Sequence, residues 1–175
     1  MVTRDAMGDN RTAAHEGSPP RRTGPVRPIY AEDLEIGVRY DAGSHAMTEA
    51  EIVEFAEAWD PQFFHTDPDA AADSYFGGLI ASGIHTLAVF QRLAAAAHFS
   101  RWNVIAGRRL NELNFLRPVR PGDVLSCSFV VDRIVFDARA RADIRIVGQL
   151  ENQRGVRVLE FVMDSLIQSR SAAER

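Results

Sequence analysis

The sequence predicts an α+β domain in which one curved antiparallel sheet wraps a long central helix. Two observations predict it. From Ser82 or Gly83 to about His98 the chain is alanine-rich, with Ile84, Leu87, Ala88 and Leu93 on one face. Small side chains all round such a helix let a sheet approach closely. The last third then changes period. Leu125, Cys127, Phe129 and Val131 alternate with Ser126, Ser128 and Val130, and Ala140, Ala142, Ile144 and Ile146 alternate with Arg139, Arg141, Asp143 and Arg145. With Leu110 to Leu116 before the Pro121-Gly122-Asp123 turn, and Val156 to Ile167 after the Asn152 to Gly155 turn, these make four consecutive antiparallel strands. A first strand, about Arg39 to Met47, completes the sheet.

In chain order, residues 1–28 hold Arg, Gly, Pro, Ser and Asp with hardly a large apolar side chain, so they are expected to be a disordered tail. Residues 29–168 form the one domain, and 169–175 a C-terminal tail. Thr48 and Glu51 form a capping box ahead of Ile52, Phe55, Ala56 and Trp59 at helical spacing. Pro61 disfavours helical geometry at Asp60 and ends that helix. Asp67 and Pro68 are the cap and first residue of a short helix running through Ser74. Gly77 and Gly78 then break the chain ahead of the central helix.

Composition narrows the chemistry. At 175 residues, 46% of them apolar, the chain suits a single domain with a proper core. A net charge of −4 gives no electrostatic case for nucleic acid or an anionic membrane surface. All 20 basic residues are arginine, which removes Schiff-base and P-loop lysine chemistry. A lone Cys127 builds neither a disulfide nor a thiolate metal site, so no metal is expected and a reducing, cytoplasmic setting is the default. The one long apolar run, Ile80 to Ala97, contains His85, Gln91 and Arg92, so no transmembrane span is expected.

The functional signal lies between Trp59 and Thr86. Asp60 and His65 stand five residues apart on a Pro-containing loop, and a glycine-rich turn leads to the free N–H groups at a helix start. A carboxylate, an imidazole and unpaired amides suffice for acid–base chemistry on a carbonyl compound. Each residue also has a structural reading: Asp60 as a helix-end turn residue, His65 as a histidine bonded to a backbone carbonyl, Gly83 as a helix-start glycine. His45 and His98 are assigned no catalytic part, and His85 suits either a pocket or the core. Phe63, Phe64, Tyr75 and Phe76 imply apolar walls that suit an acyl chain.

Three blocks, WDPQFFHTDPDAA, GGLIASGIHT and LNELNFLRPVRPGDVL, occur in one order across about residues 29 to 168. Together they resemble the MaoC-like dehydratases, which include the (R)-specific enoyl-CoA hydratases of hot-dog fold. The resemblance implies a hot-dog domain with Asp60 and His65 as the catalytic pair, and Gly83 offering its N–H to a thioester oxygen. It also implies a homodimer with the acyl-pantetheine tunnel at the subunit contact. No cofactor is implied, because the substrate arrives as a coenzyme A thioester. Two departures stand out. Pro61-Gln62-Phe63-Phe64 replaces the Asn-Pro of the best-known hydratases, which passes the holding of the loop to Gln62, and Ser82-Gly83 replaces their His-Gly. Gln62, Phe64, Ser82 and Gly83 are accordingly the residues expected around the oxyanion and substrate.

The preferred function is hydration of a 2-enoyl thioester, or the reverse dehydration. An acyl-CoA thioesterase is the first alternative. Many hot-dog thioesterases carry a carboxylate on the central helix, and Gly83 to His98 contains neither Asp nor Glu. A non-catalytic acyl-thioester binding subunit is the second, against which both Asp60 and His65 argue. The Arg117 to Asp123 block is read as a structural connection between strands, with Arg108 and Arg109 preferred as contacts for an anionic nucleotide end.

Overall fold

The computed structural model describes residues 27–170. Most of the expected N-terminal tail, 1–26, and residues 171–175 of the C-terminal one lie outside them. Five strands, β1 (Arg39–Ala46), β2 (Val104–Phe115), β3 (Val124–Asp137), β4 (Arg141–Glu151) and β5 (Arg157–Gln168), form one sheet in the order β1-β3-β4-β5-β2. Every neighbouring pair is antiparallel. Four helices, α1 (Glu49–Trp59), α2 (Phe63–Thr66), α3 (Pro68–Ala72) and α4 (Gly83–Ala97), fill the long connection between β1 and β2. The expected α+β arrangement, a sheet curved around one long helix, is what the chain adopts.

The sheet bends through irregular pairing. Register shifts interrupt β1 against β3 between Asp41 and Ser44, β3 against β4 between Val131 and Arg133, and β2 against β5 at three places. Each such bulge increases local twist and curves the strand. The shift beyond Val131 also explains why β3 runs on to Asp137, past the end of its simple alternation. β2 begins at Val104 rather than Leu110. Gly107, Arg108 and Arg109 break its apolar pattern, and pairing with β5 makes it a strand.

The inner face of the sheet presents Phe129, Ile144, Ile146, Leu159 and Phe161, which share one core with Val89, Phe90 and Ala94 of α4. The closest approach is at Gly148. A Cβ there would lie 2.6 Å from the Phe161 ring and 2.8 Å from the Phe90 ring. Those rings meet edge to face, 4.6 Å between centroids, and both are buried. Cys127 belongs to the same core. Burial pushes its thiol up to about 12.

The α1 cap is half of the box expected from the sequence. Thr48 Oγ1 accepts from the Glu51 N–H at 3.2 Å. The Glu51 carboxylate turns instead to His45 Nε2, at 2.7 Å. A histidine brought alongside by β1 outcompetes the backbone amide, which no local pattern announces.

Gly148→Ala is expected to destabilise the fold by about 1–3 kcal/mol, because two buried rings cannot swing aside for the added methyl. Urea denaturation of the variant checks this, and an unchanged midpoint would show that the helix is not seated against β4 in this way.

Candidate active site

The segment after α1 is built by a chain of local instructions. Helix α1 stops at Asp60, whose φ of −156° and ψ of 69° are not helical. The Gln62 N–H donates to the Asp60 carbonyl and the His65 N–H to the Gln62 carbonyl, both at 2.8 Å. The stretch read from sequence as an open loop therefore closes into the one-turn helix α2, which carries Phe64 and His65. Asp67 caps α3, accepting from the Asp69 and Ala70 N–H groups at 3.0 Å each.

The Gly77 to Ser82 connection returns the chain beside α2. The Ile80 N–H donates to the Phe64 carbonyl at 3.1 Å, and the Ile80 carbonyl accepts from His65 Nδ1 at 2.8 Å. A carbonyl oxygen only accepts, so Nδ1 carries the proton. In the neutral ring Nε2 is then a bare acceptor. It faces Asp60 Oδ2 at 3.6 Å. That separation is too long for a direct hydrogen bond.

Asp60 is held by neutral donors. Ser82 Oγ donates to Oδ2 at 2.7 Å and Gln62 Nε2 to Oδ1 at 2.8 Å. The Ser82 bond above all, then the Gln62 bond, holds the carboxyl below the usual carboxylate range. The imidazole is deeply buried, whereas the Asp60 side chain is 26% exposed. An ionised carboxylate and an imidazole lone pair thus converge on one point.

Ser82 does two further things. Its hydroxyl oxygen accepts from the Ile84 N–H at 3.2 Å, which caps α4. Its carbonyl receives the Thr86 N–H at 3.0 Å. Gly83, the first helical residue, has no intrahelical acceptor for its N–H by construction, and none among the described residues takes its place. The helix dipole adds partial positive charge there. A Cβ at Gly83 would meet the Phe115 ring at 2.9 Å.

His65 and Gly83 line one cavity of about 350 Å³, walled by Phe64, Phe76, Phe115, Leu116, Val119 and Val158 among others. Of the four aromatic residues expected as walls, Phe64 and Phe76 serve. Tyr75 is 98% exposed and Phe63 52% exposed, so neither contributes a buried wall. Gln62 and Ser82, grouped from sequence with the substrate contacts, face the carboxylate. Phe115, Leu116 and Val158 come from β2, its end and β5, and no sequence signal marked them. His85 is buried and stacks on Phe55, with ring centroids 4.4 Å apart. Its unpaired Nδ1 and lowered pKa, caused first by burial, describe a neutral core histidine.

No cluster among the described residues is suited to a metal ion. No helix among them is long and apolar enough to cross a membrane.

A five-stranded antiparallel sheet folded around one long helix, with an aspartate and a histidine beside that helix's start, is the hot-dog architecture. The MaoC like domain profile matches residues 33–146, and this chain belongs to the MaoC-like dehydratase family. It is similar to the uncharacterized protein YdeM of Bacillus subtilis (strain 168), 32% identical over 139 residues that span 78% of this chain and 96% of YdeM. The crystal structure of the MaoC-like dehydratase from Rhodospirillum rubrum superimposes with a TM-score of 0.74 at 34% identity, covering 82% of this chain and 99% of that one. The unliganded (R)-hydratase PhaJ1 of Pseudomonas aeruginosa shares the fold, with a TM-score of 0.66 at 23% identity and 82% and 88% of the two chains covered.

Ser82→Ala removes the hydrogen bond that does most to hold the Asp60 carboxyl down, so its pKa is expected to rise toward its ordinary value. A depressed folded-state pKa contributes stability that is present above the unfolded value and lost as pH falls through the folded one. The variant should therefore show weaker acid dependence of stability, on top of about 0.5–2 kcal/mol lost with the helix cap. A carbon-13 NMR titration of the Asp60 carboxyl checks this, and a pKa at or below that of the parent would contradict it.

Proposed function

We propose that the chain is a hydro-lyase of the (R)-specific enoyl-CoA hydratase type, adding water across the 2,3 double bond of an acyl thioester or removing it in the reverse direction. The observation that carries this reading is the meeting of Asp60 Oδ2 and His65 Nε2, an acceptor in the neutral ring, 3.6 Å apart. One water donating a hydrogen to each satisfies both. Its oxygen lone pair is then free to attack an electrophile.

The bond changes balance with one water and no added reagent. Water oxygen bonds to the β carbon as one of its protons passes to the carboxylate–imidazole pair, and the π electrons move toward the thioester oxygen. A proton returned from the pair to the α carbon completes hydration. The negative charge that builds on the thioester oxygen needs a donor. The free Gly83 N–H, on the same cavity as His65, supplies one at the positive end of α4. Phe64, Phe76 and Phe115 give the cavity an apolar lining suited to an acyl chain. Nothing in this scheme calls for a cofactor.

The reading includes a homodimer. β2 is an edge strand of 12 residues, exposed along most of its length. Val104, Ile105, Leu110 and Phe115 are each between 43% and 50% exposed, and Ile84 on α4 is 56% exposed. An open groove of about 490 Å³ between α4 and β2 is lined by Ile84, Leu87, Leu110 and Met163 among others. A long apolar edge of this kind invites pairing with a second copy. An isologous contact there would also close the half-exposed Phe115 side of the cavity.

Incubation with a 2-enoyl-CoA should remove the conjugated absorbance without releasing thiol. Asp60→Asn should lower the rate about 10²- to 10⁴-fold with the fold intact. Thiol release at the rate of absorbance loss would instead make the chain a thioesterase, and near-normal hydration by a folded Asp60→Asn protein would remove Asp60 from the chemistry. For the dimer, Leu110→Asp places a charge on the proposed contact. Sedimentation should show dimers for the parent and monomers for the variant, and a monomeric parent would contradict the contact.

A further inference from the structure

Beside the catalytic cavity lies a second recess, of about 300 Å³, lined by Arg117, Arg120, Arg154, Asp123 and Asn152 among others. The two hollows share Arg117 and Pro118. Several arginines of the sheet face carboxylates: Arg108 pairs with Asp143, Arg145 with Asp164, and Arg157 with Glu160. Among the described residues, Arg117, Arg120 and Arg154 have no carboxylate within ion-pair distance. On a chain of net charge −4, three unpaired guanidinium groups gathered in one hollow are a local excess of positive charge.

The hollow is held in shape from within. The one acid among these lining residues, Asp123, is buried and occupied by neutral donors, accepting from the Arg120 N–H at 2.8 Å and from Gln153 Nε2 at 3.3 Å. Gln153 Oε1 accepts in turn from the Val124 N–H at 3.0 Å, so its side chain ties the β4–β5 turn to the turn ahead of β3. Asn152 Oδ1 accepts from the Arg154 and Val156 N–H groups at 3.0 and 3.1 Å, which fixes the turn that displays Arg154. The Arg120 guanidinium reaches back to the Phe76 carbonyl on the cavity wall. Arg117 Nη1 likewise donates to the Leu116 carbonyl at 2.6 Å, so two cross-linked turns present planar, forked donors tied to carbonyls but without a carboxylate partner, a donor type suited to phosphate.

We propose that this arginine recess binds the phosphate end of the pantetheine carrier while the acyl thioester occupies the neighbouring cavity, an assignment that rests on the thioester reading above. The shared ligand chemistry is the phosphate of phosphopantetheine, which reaches the site either on coenzyme A or on a carrier protein. Of the two arginines expected from sequence to meet an anionic end, Arg108 pairs with Asp143 and Arg109 lines the α4–β2 groove, so the proposed site adds the Arg117 to Asp123 block to that expectation.

Three thioesters with one 2-enoyl group separate the possibilities: enoyl-pantetheine, enoyl-4′-phosphopantetheine and enoyl-CoA. The parent protein should be more efficient on both phosphorylated forms than on enoyl-pantetheine, by about tenfold or more in kcat/KM carried by KM. A gain at phosphopantetheine identifies the phosphate common to both carriers, and a gain at CoA alone overturns that assignment. The variant Arg154→Glu, which lies outside the catalytic cavity, should erase the gain and leave enoyl-pantetheine turnover unchanged. Added salt should shrink the gain in the parent. Equal kcat/KM on all three thioesters, or a gain that survives in the variant, overturns the site and leaves the hydratase reading standing. Calorimetric titration with CoA reads the site without turnover. If no thioester is hydrated while CoA binds the parent about tenfold or more tightly than the variant, the hydratase reading falls and the site stands; absence of CoA binding to the parent overturns the site.

Discussion

The peptide of Ile80 is the constraint on which the site depends. Its N–H engages the Phe64 carbonyl and its carbonyl takes the His65 Nδ1 proton, so one backbone unit fixes both the position of α2 and the tautomer of its histidine. Only with the proton on Nδ1 does Nε2 face Asp60 as an acceptor. Were the proton on Nε2 instead, the carboxylate would face an N–H, and the pair would be drawn to each other instead of to a third molecule. The adjoining Ala81 N–H is anchored to the Val119 carbonyl at 2.8 Å, so the clamp is tied to the connection before β3.

Ser82 links this clamp to the central helix. One hydroxyl accepts from Ile84 at the helix start and donates to Asp60, and so the same residue that begins α4 sets the charge of the carboxylate. The start of α4 and the Asp60 carboxylate are therefore tied to one side chain. The half of the cavity wall contributed by Phe115 and Leu116 is less fixed, since Phe115 is 49% exposed on the edge strand. Asp60 and His65 sit on the hydrogen-bonded side, and Phe115 on the open side.

Electrostatics are partitioned the same way. Arginines on the sheet are neutralised by Asp143, Asp164 and Glu160. At the strand turns the carboxylate of Asp123 is spent on backbone and amide donors, and three arginines are left without one.

The sequence by itself determined the helix and strand order, because each rests on short-range periodicity: the alanine-rich run of α4, the alternation in β3 and β4, and the stops at Pro61 and Gly77-Gly78. It also brought Asp60, His65 and Gly83 together as candidates, since all three lie within one segment of fewer than thirty residues. What it did not contain was the assignment of partners. Glu51 meets His45 rather than its own cap, Gln62 and Ser82 serve the carboxylate, Tyr75 points to solvent, and Arg117, Arg120 and Arg154 share a hollow. Ser82 reaches Asp60 across 22 positions and the arginines gather from separate turns, whereas the Gln62 and Glu51 pairings are near in sequence and are settled by how the neighbouring elements pack. Such contacts are settled by how a bulged sheet closes on its helix, and no local pattern of side chains specifies that closure.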